Sequence, residues 1–191
     1  MLDLSDIYLY LEERLSYKRY THSKNVADLA EALAGHYGCD QRKARLAGLI
    51  HDCSKEEKYD DLVYYARKSG FPVDQESYRI PEVLHGPASV YVSKTVFGIT
   101  DEEILSAVRY HVTGRESMTL MEKIIFIADY IEPSRKIKGI EEIRALAYND
   151  LDGAVLYALD LTILYVIEKK GLLHHDTVSA RNFLIGSATQ I

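Results

Sequence analysis

The sequence predicts an all-α fold in which the helices form one bundle. Apolar residues recur every three or four positions in most segments, whereas the strict alternation of a half-buried strand is nearly absent. Capping residues, glycines and prolines separate these segments at lengths that suit globular helices. With 191 residues, of which 47% are hydrophobic and 27% charged, the chain suits one domain with a proper core.

Two helices are predicted in the first forty residues. Leucine and isoleucine at helical spacing mark the first, over about 4–15, and Asp3 or Ser5 is available as its N-cap. The second covers about 18–37 and ends at Gly38, because glycine readily adopts the left-handed conformation that closes a helix.

Three helices are predicted in the middle of the chain. Asp40 caps one that runs into the dipeptide His51-Asp52. A polar helix over about 60–68 is broken by Gly70-Phe71-Pro72. The next helix has Pro81 in its first turn, where the missing N–H does no harm, and continues toward Gly98.

Two capping boxes predict the helices that follow. Thr100 with Glu103, and Thr119 with Glu122, have the spacing in which side chain and backbone at a helix start bond reciprocally. The two helices reach about residues 111 and 131.

The C-terminal part is predicted to hold three more helices. Two of them cover about 140–148 and 152–169. Asp176 follows an apolar stretch and precedes a helical run, and it is therefore interpreted as the N-cap of the last helix.

Composition excludes several classes of protein. The formal net charge of -6 argues against a broad basic surface for nucleic acid. The most apolar stretch, 154–167, is too short for a membrane span and contains Asp160. Cys39 and Cys53 form neither a CxxC pair nor a disulfide framework, and the acidic N-terminus lacks a signal-peptide pattern. We therefore expect a cytoplasmic protein.

Several ionisable residues lie on otherwise apolar helix faces. His22 and His111 each share a stripe with aliphatic residues, Asp52 closes an apolar helix, and Asp129 follows the run 124–128. A buried carboxylate without a partner becomes neutral or costs several kcal/mol, and basic residues close to Asp52 and Asp129 are scarce in these helices. A metal ion is the simplest partner, although each histidine alone also fits a hydrogen-bonded core position.

The His-Asp dipeptide is weak evidence by itself. In a chain of this composition about half an occurrence is expected by chance, and a second copy, His175-Asp176, is already explained as a helix start. The informative pattern is an ordered set on successive helices, because a bundle can direct such groups inward. Its members are His22, His51, Asp52, His85, His111 and Asp129.

The residues around this set carry a resemblance to a known family. The matching segments are HDCSK (51–55), LHG (84–86), RYHVTGRESM (109–118), EKIIFIADYIEPSR (122–135) and LLHHDTVSARN (172–182). They resemble the binuclear-metal branch of the HD-domain superfamily, and within it the bacterial YqeK family of symmetrical diadenosine tetraphosphate hydrolases. The resemblance covers about residues 17–184. Val112 and His175 stand where the family commonly has threonine and proline, and neither is a proposed ligand.

The resemblance implies a domain and a metal site. It implies one HD domain over 1–191, with a core at about 17–135 and helices over 140–188 packed on it. One metal would be held by His22, His51, Asp52 and Asp129, and a second by Asp52 as a bridge, His85, His111 and water. The family implies iron, whereas the mixed imidazole and carboxylate donors alone suit iron, manganese or zinc.

The implied reaction yields two ADP molecules through attack by a hydroxide that bridges the metals. Asp52, Lys55 and Arg135 are the expected catalytic residues. Lys55, Arg135, Arg115 and Thr113 are the expected substrate contacts, although each basic residue also fits an ordinary solvated position.

Other functions remain compatible with this sequence. The same metals would serve an HD phosphohydrolase acting on a mononucleotide, a cyclic nucleotide or guanosine tetraphosphate. A non-catalytic nucleotide-binding HD module is a further alternative. In each case the partner is a small-molecule nucleotide, without nucleic acid or membrane, and a homodimer is left open.

Overall fold

A computed structural model describes residues 3–137 and 139–188, so Lys138 and the terminal residues of the predicted domain lie outside it. These residues form ten α-helices, one short 3-10 turn and no strand, which confirms the predicted fold class. In chain order the helices are α1 Leu4–Arg14, α2 Tyr17–Tyr37, α3 Gln41–Ile50, α4 Tyr59–Lys68, α5 Pro81–Thr95, α6 Glu102–Tyr110, α7 Leu120–Ile131, α8 Ile140–Leu146, α9 Leu151–Glu168 and α10 His175–Ala188; the 3-10 turn is Ser77–Arg79.

Most of the predicted boundaries are confirmed by the capping contacts. The Asp3 carboxylate accepts from the backbone N–H of Asp6, and Gly38 closes α2 with a φ of 69°. Asp40 caps α3, and Thr119 with Glu122 forms the predicted capping box at α7. Local sequence therefore determines where these helices begin and end.

Two predicted caps are wrong. The N-cap of α6 is Asp101 rather than Thr100, because the Asp101 carboxylate accepts from the N–H groups of Glu103 and Ile104. The last helix begins at His175, so Asp176 lies inside its first turn. The buried imidazole of His174 replaces it: Nδ1 accepts from the Asp176 N–H at 3.2 Å, and Nε2 lies 2.9 Å from Ser77 Oγ.

Replacing His174 by alanine should lower the free energy of unfolding by about 1–2 kcal/mol, because a helix cap and a buried hydrogen bond are lost together. Urea denaturation measures the change. His175→Ala is the matched control, since 55% of that side chain is exposed. Equal stability of the two variants would contradict a capping role for His174.

Two glycines bring the helices that carry the site into close contact. A Cβ on Gly48 of α3 would lie 3.0 Å from Ala27 Cα of α2. A Cβ on Gly86 of α5 would lie 2.7 Å from the Arg109 carbonyl oxygen of α6. Any side chain at either position would push a pair of helices apart, and with them the residues they present.

The helix α7 lies at the centre of the fold. It packs against α2, α3, α6 and α9, and its residues Ile124, Ile125 and Ile127 are fully buried. Helices α8 and α10 pack on α9, and both α8 and α9 contact α7, which joins the C-terminal helices to the rest of the bundle. The division into a single domain and the pairing of two copies stay predictions. No helix among the described residues is long and apolar enough to cross a membrane.

Candidate metal centre

Six histidine and aspartate side chains from five regions of the bundle converge on one buried point. Five of them expose 7% of their surface or less, and Asp129 exposes 21% of its side chain. They are His22 of α2, His51 and Asp52 directly after α3, His85 of α5, His111 directly after α6 and Asp129 of α7. The structure therefore brings together the whole set that the sequence predicts.

Asp52 lies between two groups of imidazoles. Its Oδ2 is 3.4 Å from His51 Nε2 and 3.7 Å from His22 Nε2. Its Oδ1 is 3.0 Å from His85 Nε2 and 3.5 Å from His111 Nε2. Each oxygen of one carboxylate thus faces a different pair of ring nitrogens.

Asp129 adds a second carboxylate to one of these groups. Its Oδ1 lies 3.0 Å from His22 Nε2 and 3.8 Å from His51 Nε2. That side of Asp52 therefore combines two imidazoles and two carboxylates, whereas the other side combines two imidazoles with Oδ1 of Asp52.

Backbone carbonyls fix the tautomers of two imidazoles. His51 Nδ1 donates to the Gly48 carbonyl at 2.6 Å, and His111 Nδ1 donates to the Val108 carbonyl at 2.7 Å. In the neutral ring the other nitrogen, Nε2, then carries a lone pair. His111 Nε2 lies 2.9 Å from His85 Nε2, so ring nitrogens crowd together on this side of the site. Such an arrangement places several nitrogen donors within reach of one cation.

The charge states of Asp52 and His85 also favour metal binding. Burial disfavours charge on Asp52, but the imidazoles of His51 and His85 outweigh it and hold the pKa of the carboxyl well below its usual range. Burial, helped by the charge of Lys55, lowers the pKa of His85 to about 3. At neutral pH the site therefore offers an ionised carboxylate beside a neutral imidazole, as metal coordination requires.

One buried atom tests whether these residues fit a metal. Asp52 Oδ1 makes no hydrogen bond among the described residues, although it is fully enclosed, and an unsatisfied buried acceptor is strongly unfavourable. Asp52 Oδ2 accepts a hydrogen bond from the guanidinium of Arg19, so a positive charge already lies beside this carboxylate. The donor set suits borderline divalent metals, and we conclude that the residues fit metal ions.

Glu132 supports the cluster from outside the six residues. Sequence analysis missed it, because an acidic residue beside Pro133 carries no local sign of such a role. Its Oε1 lies 3.2 Å from His22 Nδ1, and its Oε2 accepts from Asn25 at 3.0 Å and from the Ser134 N–H at 2.7 Å. The carboxylate is 1% exposed. It therefore holds the proton of His22 on Nδ1 and leaves Nε2 free for a metal.

Changing Glu132 to glutamine should weaken metal affinity by about tenfold, because removing an outer partner of a ligand histidine has effects of this order. Competition with a chromogenic chelator measures the affinity. Glu141→Gln is the control, since 81% of the Glu141 side chain is exposed on α8. If both variants bind metal like the unmodified chain, Glu132 does not orient His22.

Three cations surround a cavity of about 150 Å³ above the ligands. Lys55 Nζ lies 3.0 Å from His85 Nδ1, and burial lowers the pKa of this lysine. Arg135 Nη2 lies 2.7 Å from Asp129 Oδ1, and Arg19 contacts Asp52. Sequence analysis predicted Lys55 and Arg135 as substrate contacts but missed Arg19. The position of Arg19 on α2, one turn before His22, is the feature that could have indicated it.

Arg115 and Thr113 lie elsewhere. Arg115 Nε donates to Glu122 at 3.0 Å, and the hydroxyl of Thr113, a buried residue, donates to the Gly114 carbonyl at 2.8 Å. Neither lines the cavity above the ligands. The structure thus does not bring these two predicted substrate contacts to the cluster.

Comparison with known proteins identifies the family to which this chain belongs. The model of the HD domain family matches residues 19–134, a range that contains all six clustered residues, and the chain belongs to that family. A crystal structure from Clostridium acetobutylicum, described as a predicted HD superfamily hydrolase involved in NAD metabolism, has a TM-score of 0.94 at 46% identity. It covers 98% of this chain, and the match covers 99% of that one.

Relatives with named activities narrow the class further. The chain is 41% identical to a protein of Staphylococcus aureus, over 90% of this chain and 89% of that protein. It is 34% identical to one of Bacillus subtilis, over 93% of this chain and 95% of that protein. Both are named symmetrical bis(5'-nucleosyl)-tetraphosphatase. The resemblance predicted from the sequence is confirmed.

Proposed function

We propose that this protein is a metal-dependent hydrolase that cleaves diadenosine tetraphosphate symmetrically into two ADP molecules. The observation that carries the proposal is the position of Asp52, whose two oxygens face two separate imidazole groups beneath a cavity lined by three cations. The names of the relatives from Staphylococcus aureus and Bacillus subtilis support the choice of substrate.

We assign the ligands to two metal ions. His22, His51, Asp129 and Oδ2 of Asp52 would hold one, and His85, His111 and Oδ1 of Asp52 would hold the other. Iron is the expected metal, with manganese and zinc as alternatives compatible with these donors. When bound, the ions supply Lewis acidity, which activates water and neutralises charge on a phosphoryl group.

The chain's own residues bind and orient the substrate. Lys55, Arg19 and Arg135 line one cavity, and their positive charges suit the oxygens of a polyphosphate. Water adds to one of the two central phosphorus atoms, the bond from that phosphorus to the central bridging oxygen breaks, and that oxygen leaves with the other ADP. Negative charge grows on the leaving ADP, and a fixed ammonium or guanidinium group beside it lowers the barrier.

Product analysis tests the proposal. Metal-replete protein is incubated with dinucleoside polyphosphates and mononucleotides, and the products are separated by ion-exchange chromatography. Diadenosine tetraphosphate should yield ADP as the sole product, whereas AMP with ATP would contradict symmetrical cleavage.

The same panel separates the alternatives. Inorganic phosphate or tripolyphosphate from a mononucleotide, pyrophosphate from guanosine tetraphosphate, or a linear monophosphate from a cyclic nucleotide would identify a different HD phosphohydrolase. Binding without turnover of any compound would identify a non-catalytic nucleotide-binding module.

A further inference from the structure

A second group of histidine and carboxylate side chains lies outside the six clustered residues, where the segment before the 3-10 turn meets the start of α10. His175 Nδ1 lies 3.3 Å from Glu76 Oε2 and 3.8 Å from Asp74 Oδ2. None of these three residues lines the cavity above the buried metal ligands. We call Asp74, Glu76 and His175 the outer cluster.

The spacing of the three donor atoms suits one metal ion. With metal–ligand bonds of about 2.0–2.1 Å, two donors of a tetrahedral zinc site lie about 3.3–3.4 Å apart. The separation between His175 Nδ1 and Glu76 Oε2, 3.3 Å, has this value, and the 3.8 Å to Asp74 Oδ2 is slightly longer. Imidazole and carboxylate groups are both zinc ligands, and water completes sites that have three protein ligands.

The ring proton of His175 has an acceptor on the other nitrogen. Asp176 Oδ1 lies 3.1 Å from His175 Nε2, whose N–H can donate to this carboxylate. In the neutral ring the lone pair is then on Nδ1, the nitrogen beside Glu76 and Asp74. A carboxylate in the position of Asp176 orients a ligand histidine and makes it a stronger donor to a metal.

Backbone N–H groups hold the two carboxylates of the outer cluster. The Ser77 N–H donates to Asp74 Oδ1 at 2.7 Å, which leaves Oδ2 for another partner. The His175 N–H donates to Glu76 Oε2 at 3.4 Å. These contacts order both side chains before any ion binds, so less conformational freedom is lost on binding.

The neighbouring His174 is not a ligand, although its Nε2 lies 3.4 Å from Asp74 Oδ2. Its Nδ1 accepts from the Asp176 N–H, so the neutral ring carries its proton on Nε2. That nitrogen donates and has no lone pair for a metal.

The outer cluster lacks a permanent counter-ion. Among the described residues, only histidines form ion pairs with Asp74 and Glu76. Arg109 lines a cavity together with Asp74, but its guanidinium donates instead to the Pro72 carbonyl at 3.3 Å. When the histidines are neutral, a divalent cation between the carboxylates supplies the missing positive charge.

We propose that Asp74, Glu76 and His175 bind a divalent metal ion of the borderline class, such as zinc, in addition to the metal ions of the buried centre. Asp176 orients the imidazole, and water completes the coordination. Glu76 and His175 are 99 positions apart in the chain, so a bound ion joins the segment before α5 to α10. The site is separate from the buried centre, and the inference therefore does not depend on the proposed function.

Zinc uptake at neutral pH tests the proposal. Metal-replete protein is dialysed against Zn²⁺, and zinc and the metals of the buried centre are counted in the same samples, so exchange at that centre is not mistaken for a new site. The unmodified chain should bind one equivalent of zinc more than His175→Ala, which lacks the imidazole. His36→Ala is the matched control, because His36 is exposed near the end of α2 and lies outside both clusters.

A second variant tests the orienting role of Asp176. Asp176→Asn should weaken the affinity for the additional zinc ion by about tenfold and leave the number of bound ions unchanged, as loss of an outer partner of a ligand histidine does.

Two results would overturn the inference. One is equal zinc uptake by the unmodified chain and His175→Ala, which is expected if a protonated His175 merely neutralises the carboxylates. The other is an equal loss of zinc in His36→Ala. If His175→Ala does not fold, Asp74→Asn gives the same comparison, since it removes a charged ligand but keeps an acceptor for the Ser77 N–H.

Discussion

Substitution of Asp52 by alanine should abolish turnover and remove most of the bound metal. The carboxylate is the one group among the described residues that faces both imidazole pairs, at 3.4 and 3.7 Å through one oxygen and 3.0 and 3.5 Å through the other. Without it, neither of the two proposed metal ions would keep its full set of donors. Metal catalysis of this kind contributes several kcal/mol, so kcat should fall by about 1,000-fold or more.

Metal analysis of the purified variant and a steady-state assay check this result. Asp60→Ala is a suitable control, because Asp60 is exposed in the first turn of α4, near the site in sequence but outside the cluster. Full activity in Asp52→Ala would remove this residue from the mechanism. Full metal content would contradict its role as a metal ligand.

Substitution of Lys55 by alanine should separate substrate binding from metal binding. Lys55 lines the cavity above the ligands, and its ammonium group approaches His85 at Nδ1, 3.0 Å away. Its removal eliminates a positive charge facing the phosphates but no metal donor. Loss of one such electrostatic contact typically lowers kcat by about 100- to 1,000-fold, and we expect an effect of this size with unchanged metal content.

Lys58→Ala provides the comparison. Lys58 lies three residues later and is exposed, and its side chain makes no capping hydrogen bond at the start of α4. Unchanged kinetics in Lys55→Ala would exclude Lys55 from catalysis, and loss of metal would give it a structural role instead.

The clustered residues were predictable because several of them are ionisable groups on otherwise apolar helix faces. Asp52 and Asp129 are charged groups in apolar helix segments, and such a conflict appears in the sequence without knowledge of the fold. Arg19 and Glu132 show no such conflict, because both stand in polar segments. Their roles depend on Asp52 and His22, which lie 33 and 110 positions away in the chain. Tertiary packing creates these pairs, and local pattern does not contain them.

The two incorrect caps have different causes. Thr100 and Asp101 are adjacent residues that both favour an N-cap, so local preference does not decide between them. At α10 the decisive contact joins His174 to Ser77, 97 positions away. Helix identity follows from periodicity over many residues, whereas the exact first residue depends on contacts that the periodicity does not include.

The hydrogen bonds from His51 and His111 to carbonyls three residues earlier have a consequence for metal exchange. The carbonyl at each helix end holds the histidine proton on Nδ1. The lone pair on Nε2 therefore faces the cluster before an ion binds. Loading then requires no tautomeric rearrangement at these two positions, and release leaves them ready to accept another ion. Such pre-organisation lowers the free-energy cost of binding a metal ion at these two histidines.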